Sequence, residues 1–103
     1  MEVTVHIENL SYRIFLYPSS PVRKQLRDYF LTHTNRSPSR FMYSCDDITP
    51  RDTILSLGLR DGANIDGVSD AQANPRLVDH LRSEGFDASQ FTFIDPDIAV
   101  IDL

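Results

Sequence analysis

Cys45, three histidines (His6, His33 and His80) and fifteen carboxylates are the side chains here that could attack, ligate or move protons. A nucleophilic thiol needs a base beside it and a third group to orient that base. Nothing flanking Cys45 supplies either, and the histidines fall in three separate stretches without ligand spacing. A single cysteine builds neither an internal disulfide nor a zinc site of ordinary spacing. The acidic pairs Asp46-Asp47 and Asp95/Asp97 raise general acid–base work or calcium. Neighbouring acids on a turn rarely make a dyad, however, and Asp95-Pro96-Asp97 lacks the calcium-loop pattern. No Gly-rich phosphate loop is present. The expectation is a chain that is not an enzyme and needs no cofactor and no metal.

Charge narrows the partners. The 103 residues carry 10 Lys+Arg and 15 Asp+Glu, a net charge of −5. Eight bases balance eight acids through residue 68; beyond it two bases, Arg76 and Arg82, face seven acids. Nucleic acid requires a basic face to displace counterions, and a polyanionic membrane makes the same demand. Neither is an expected partner. No apolar run approaches the ~18 residues of a membrane span. The opening Met-Glu-Val-Thr-Val-His lacks the basic and apolar regions of a signal peptide. An intracellular setting, nuclear or cytoplasmic, is expected.

The elements come next. Val3, Val5 and Ile7 alternate with polar residues as in a half-buried strand. After a turn at Asn9-Leu10-Ser11, Tyr12, Ile14 and Leu16 alternate again, which predicts a hairpin. Ser20 and Pro21 offer N-cap and first-turn chemistry for a helix over 21–33, with Val22, Leu26, Tyr29 and Phe30 at helical spacing. Residues 34–39 read as a polar loop and 40–44 as a strand. A short helical turn over 52–59 ends at Gly58 as C′ residue, and 64–68 reads as a last strand. Ser69 to Asn74 is small and polar, so a linker is expected there. Pro75 begins a second helix, stopped by Gly85, and scattered phenylalanines lead to an extended tail.

Arg40-Phe41-Met42-Tyr43, Ile48, Asp52-Thr53-Ile54-Leu55-Ser56-Leu57-Gly58-Leu59 and Asp61-Gly62-Ala63-Asn64-Ile65-Asp66 together resemble the second half of SUMO. The resemblance covers residues 1–68 and implies an α+β, ubiquitin-like β-grasp: a mixed ββαββ sheet with one main helix. Residues 69–74 would then link it to an acidic helical and extended extension over 75–103. No Gly-Gly follows Val68, so a conjugated modifier is disfavoured, and the closer likeness is to non-conjugated SUMO-like domains of scaffold proteins. Cys45 stands near the family's turn glycine, and Gly67 replaces an apolar strand residue.

The resemblance also implies a groove in which a partner's strand adds beside the second strand and the first helix. Its apolar positions fall on Ile14, Leu16 and Leu26. Arg23, Lys24 and Arg27 would meet a partner's acidic flank, while Phe15 and Tyr17 stand where SUMO carries lysines. Main-chain hydrogen bonds would give affinity, and flanking charge orientation. Val100-Ile101-Asp102-Leu103 fits the SUMO-interacting pattern, with Asp95 and Asp97 as its acidic flank. That segment would dock in its own groove as autoinhibition, dock in a neighbour's as self-association, or complete the domain as an edge strand. Phe15, Tyr17 and Met42 would otherwise form an outer-sheet surface, or be covered by the extension. The expected function is a protein–protein interaction module binding a SUMO- or ubiquitin-pathway protein. A generic ubiquitin-like scaffold domain using its outer sheet is the alternative.

Overall fold

The computed structural model describes residues 1–88 and 90–102, with only the backbone of Ser69 and Asp70. The first alternation folds as β1 (Glu2–Ile7) and β2 (Leu10–Phe15), paired antiparallel from Glu2↔Phe15 to Ile7↔Leu10. The turn is Glu8-Asn9, tighter than the three residues expected, and Glu8 takes a positive φ of 54° to make it. Val3, Val5 and Ile7 are buried on one face, and Ile14 and Leu16 join them.

α1 (Val22–His33) lays Val22, Leu26 and Phe30 on that face. Phe30 meets Tyr12 edge-on at 5.0 Å and stacks on Phe41 at 6.0 Å. Burying each such side chain stabilises by about 1.5–3 kcal/mol. The cap differs from the Ser20 cap expected: Pro21 occupies the N-cap position and makes no side-chain bond. Gln25 closes the entry instead, its Nε2 donating to the Ser20 and Tyr17 carbonyls and its Oε1 accepting from Tyr17 N–H.

β3 (Arg36–Tyr43) and the two-residue β4 (Asp46–Asp47) flank Ser44-Cys45, a turn with φ of 52° and 68°. Both values are positive, as the primed hairpin turn demands, so Cys45 serves the turn in the place glycine usually holds. α2 (Ile54–Leu57) is capped by Thr53 and Ser56 reciprocally and ends on left-handed Gly58. The Asp52 carboxylate, just outside this helix, accepts from Thr49 N–H at 2.8 Å, and that bond holds its pKa low.

β5 (Ala63–Gln72) lies between β1, parallel, and β3, antiparallel, giving the order β2-β1-β5-β3-β4. A parallel pair between the first and last strands, with one helix across one face, is the ubiquitin-like β-grasp. Gly67 has a packing reason: a Cβ there would sit 2.6 Å from Ile7 Cγ1, so Ile7 fills the space a side chain would need.

The expected linker is corrected. β5 runs on through Gln72, pairing Arg36↔Gln72 and Ser37↔Ala71, so the polar loop at 34–39 is largely strand as well. This β3–β5 arm carries α3 (Pro75–Ser83) and a hairpin of β6 (Phe91–Asp95) and β7 (Ile98–Ile101). Asn74 caps α3 through Arg76 N–H. Phe91, Phe93, Val78, Leu81, Ala73 and Leu31 of α1 make a second core. Phe93 N–H donates to the buried Ser37 Oγ at 3.1 Å. Among the described residues, no helix is long and apolar enough to cross a membrane.

Candidate functional site

Among the described residues β2 is an edge strand, paired with β1 alone, so one row of its backbone N–H and C=O groups faces outward. Beside it a shallow groove of about 250 Å³ opens towards α1. Gln25, Tyr29 and His33, each one helical turn from the next, present one stripe of α1 to the groove. Ile14 forms part of its floor. Phe15 (60% exposed) and Tyr17 (61%) stand at its mouth, their rings edge-on at 5.2 Å. Large aromatic side chains left this open next to a free strand edge can anchor an extended peptide.

The expected groove residues divide sharply. Leu16 and Leu26 are fully buried and Ile14 nearly so, which makes them core; only Ile14 reaches the groove. The bases lie elsewhere. Lys24 is 3.4 Å from Asp87, and Arg27 Nη1 is 3.7 Å from Asp102. Arg23 lines a separate cleft with Arg40 and Asp47, on the β3–β4 side. The helix therefore separates its cationic flank from the β2 groove. Basic residues do meet the acidic extension, as the charge division suggests, but across the other side of α1. Asp28, which also lines the β2 groove, accepts from Arg82 of the extension at 2.7 Å.

The terminal segment does not enter its own groove: β7 pairs with β6, which corrects the autoinhibited arrangement. Asp95 and Asp97 shape the hairpin turn, Asp97 N–H donating to Asp95 Oδ1 while Asn74 donates to Asp97. Val100 and Ile101 remain partly exposed, and Leu103 lies outside the described residues. The outer-sheet surface is also corrected. Met42 belongs to β3, with β1 and β5 between it and Phe15. Those strands turn Thr4, His6, Asn64 and Asp66 outward, and His6 contacts Ser11 and Asn64. Phe15 and Tyr17 belong with the groove. The extension covers the helix side of the β3–β5 arm rather than the outer face. Gln25, Tyr29 and His33 were missed, although their i, i+4, i+8 spacing marks a common stripe.

Arg27 is buried, 3% exposed, with Nη2 donating to the Ser39 carbonyl at 3.1 Å. Burial, then the like charge of Arg23, pull its pKa down to about 10, and Asp102 opposes them. Replacing a buried charge with an apolar side chain of similar length is often neutral or stabilising, whereas deleting its counter-ion is not. Arg27→Met is accordingly expected to unfold at or above the wild-type temperature. Asp102→Ala should lose about 1 kcal/mol, a modest figure because Asp102 is half-exposed. The double variant should match Arg27→Met alone. Thermal unfolding followed by circular dichroism checks all three; equal losses in the two single variants would contradict this account.

The chemistry-bearing residues stay apart. Cys45 is exposed in the β3–β4 turn, while His6, His33 and His80 belong to β1, α1 and α3. Among the described residues, no three of His, Cys, Asp and Glu gather to hold a metal ion.

No family model matches the chain, and no curated protein matches it. It is similar to a solved structure described as "Crystal structure of ATBAG1 in complex with HSP70", with a TM-score of 0.56 at 11% identity. The likeness covers 82% of this chain and 47% of that one, so this chain spans about half the neighbour's length. At that identity the likeness is one of fold, and it agrees with the ubiquitin-like β-grasp read from the sheet order.

Proposed function

We propose that this ubiquitin-like chain is a non-catalytic protein-recognition module that takes an extended partner segment against the free edge of β2. The carrying observation is the pair Phe15 and Tyr17, both more than half exposed beside the open outer edge of β2 and its groove. A partner strand would gain main-chain hydrogen bonds from β2 and seat a side chain between Phe15, Tyr17 and Tyr29. The order and spacing shared with SUMO over residues 1–68 support a partner from the SUMO or ubiquitin system, such as the conjugating E2 or a SUMO-interacting strand. They equally support a nuclear or cytoplasmic setting. The similar ATBAG1 structure was solved with HSP70, which accords with a protein partner here.

Leu16, fully buried, is unsuitable as a test position. Phe15→Lys keeps the core intact and should weaken binding of the E2 or of a SUMO-interacting peptide about tenfold or more, with an unchanged melting temperature. Amide shifts on titration should cluster at residues 10–17 and 25–33. Shifts centred instead on Leu55, which is 90% exposed beside Ile54 and Leu59, would move the site to α2 and reject the β2 groove.

A further inference from the structure

The groove at β2 leaves a second open edge unused. β6 lies against β3 and β5, whereas β7 packs chiefly on β6 and is the outer strand of its two-stranded sheet. Ala99 packs towards the second core, so by strand alternation Ile98 and Val100 face away from it. Ile94, Ile98, Val100 and Ile101 are 64%, 53%, 45% and 37% exposed. Four branched aliphatic side chains within eight residues are thus left open beside a row of backbone groups available to another strand.

We infer that β7 is a second docking edge, which takes an extended aliphatic segment flanked by lysine or arginine. Charge selects the occupant. Beyond Arg82 the chain has no base, and Asp95, Asp97 and Asp102 bracket β7 at its two ends, all exposed, Asp102 also lying 3.7 Å from Arg27 of α1. Two copies of β7 pairing antiparallel about its centre would lay the Asp97 end of one beside the Asp102 end of the other, twice over. Like charges gathered across paired strands are destabilising, so the edge disfavours a second copy. The β2 edge of a second copy offers one base, Arg13, against three carboxylates. A partner with basic residues on both sides of its aliphatic core satisfies both ends of β7 at once, and steers itself there.

The test uses the full chain and two labelled synthetic peptides, Lys-Lys-Val-Thr-Val-Thr-Val-Lys-Lys and its glutamate-flanked twin. Fluorescence polarisation should show the lysine-flanked peptide binding at least about tenfold tighter. The preference should shrink between about 0.02 and 0.3 M salt as screening shortens. Amide shifts should fall on residues 98–101. Val100→Lys should abolish the binding while leaving the remaining amide spectrum in place, and Ile98→Lys repeats the test at a second exposed position. Phe15→Lys should leave it unchanged, which separates this edge from the groove at β2. Equal affinity for the two peptides, or shifts at residues 10–17, would overturn the inference. So would a concentration-dependent increase in mass abolished by Val100→Lys, because the occupant would then be a second copy.

Discussion

Phe93→Ala is expected to remove about 3–5 kcal/mol of stability from the entire chain, in one cooperative transition. Phe93 is 1% exposed and meets Phe91 edge-on at 6.0 Å. Its backbone N–H is tied to Ser37 on β3, so the ring and the strand that carries it are fixed to the central sheet together. Truncating the ring leaves a cavity between β6, the β3–β5 arm and Leu31 of α1. Against the roughly 5–15 kcal/mol that holds a domain folded, that loss is large. Chemical denaturation followed at once by far-ultraviolet circular dichroism and by amide exchange in β1 measures it. Two separate transitions, or unchanged protection of Val3 and Val5, would mean that residues 75–102 fold as an independent appendage.

The second large effect is expected at the crossing of β1 and β5. Gly67→Ala places a methyl 2.6 Å from Ile7 Cγ1 and 3.1 Å from Ile7 Cδ1, and Ile7 is 1% exposed with no room to retreat. Overpacking of this kind costs about 1–3 kcal/mol. Ile7→Ala alone should cost about 2–5 kcal/mol through its cavity. The double variant should cost at least about 1 kcal/mol less than the sum, because the new methyl occupies part of the space the old side chain vacated. Urea midpoints of the four proteins settle the coupling. Strict additivity would show that Ile7 does not serve as the side chain Gly67 lacks.

The first hairpin, α1 and α2 were legible because each rests on local signals, while the mixed sheet came from the likeness to SUMO. Val3-x-Val5-x-Ile7 has the period of a strand, and Gly58 sits where a helix end needs a left-handed residue. The failures share one cause. Arg36-Ser37-Pro38 and the stretch from Ser69 to Gln72 each lack apolar periodicity, and each is the other's partner. Propensity reads one segment at a time, whereas their strand character comes from pairing across some thirty residues. Pro38 itself stands opposite Asp70 within this pairing. Small residues such as Ala71 and Ala73 read as a linker, yet they are what lets α3 and the second hairpin approach closely. The Asp95-Pro96-Asp97 turn was a usable signal for the β6–β7 hairpin. The groove was half legible. Sequence likeness placed it at β2 and α1, but alternation alone could not say that Leu16 and Leu26 point fully inward while Phe15 and Tyr17 stand open.

The parallel pairing of β1 with β5 also sets a schedule for synthesis. Val3 must find Ala63, and β5 is complete only at Gln72. Once β2 has been made, a ribosome working at about 5–20 residues per second needs about 3–11 s to supply the strand that β1 pairs with. Through that interval the nascent hairpin carries Val3, Val5, Ile7 and Ile14 with no central strand beside them, and the high sequence separation slows closure further. A chaperone that shields the first twenty residues during translation should therefore raise the yield of folded chain more than one acting on the finished product.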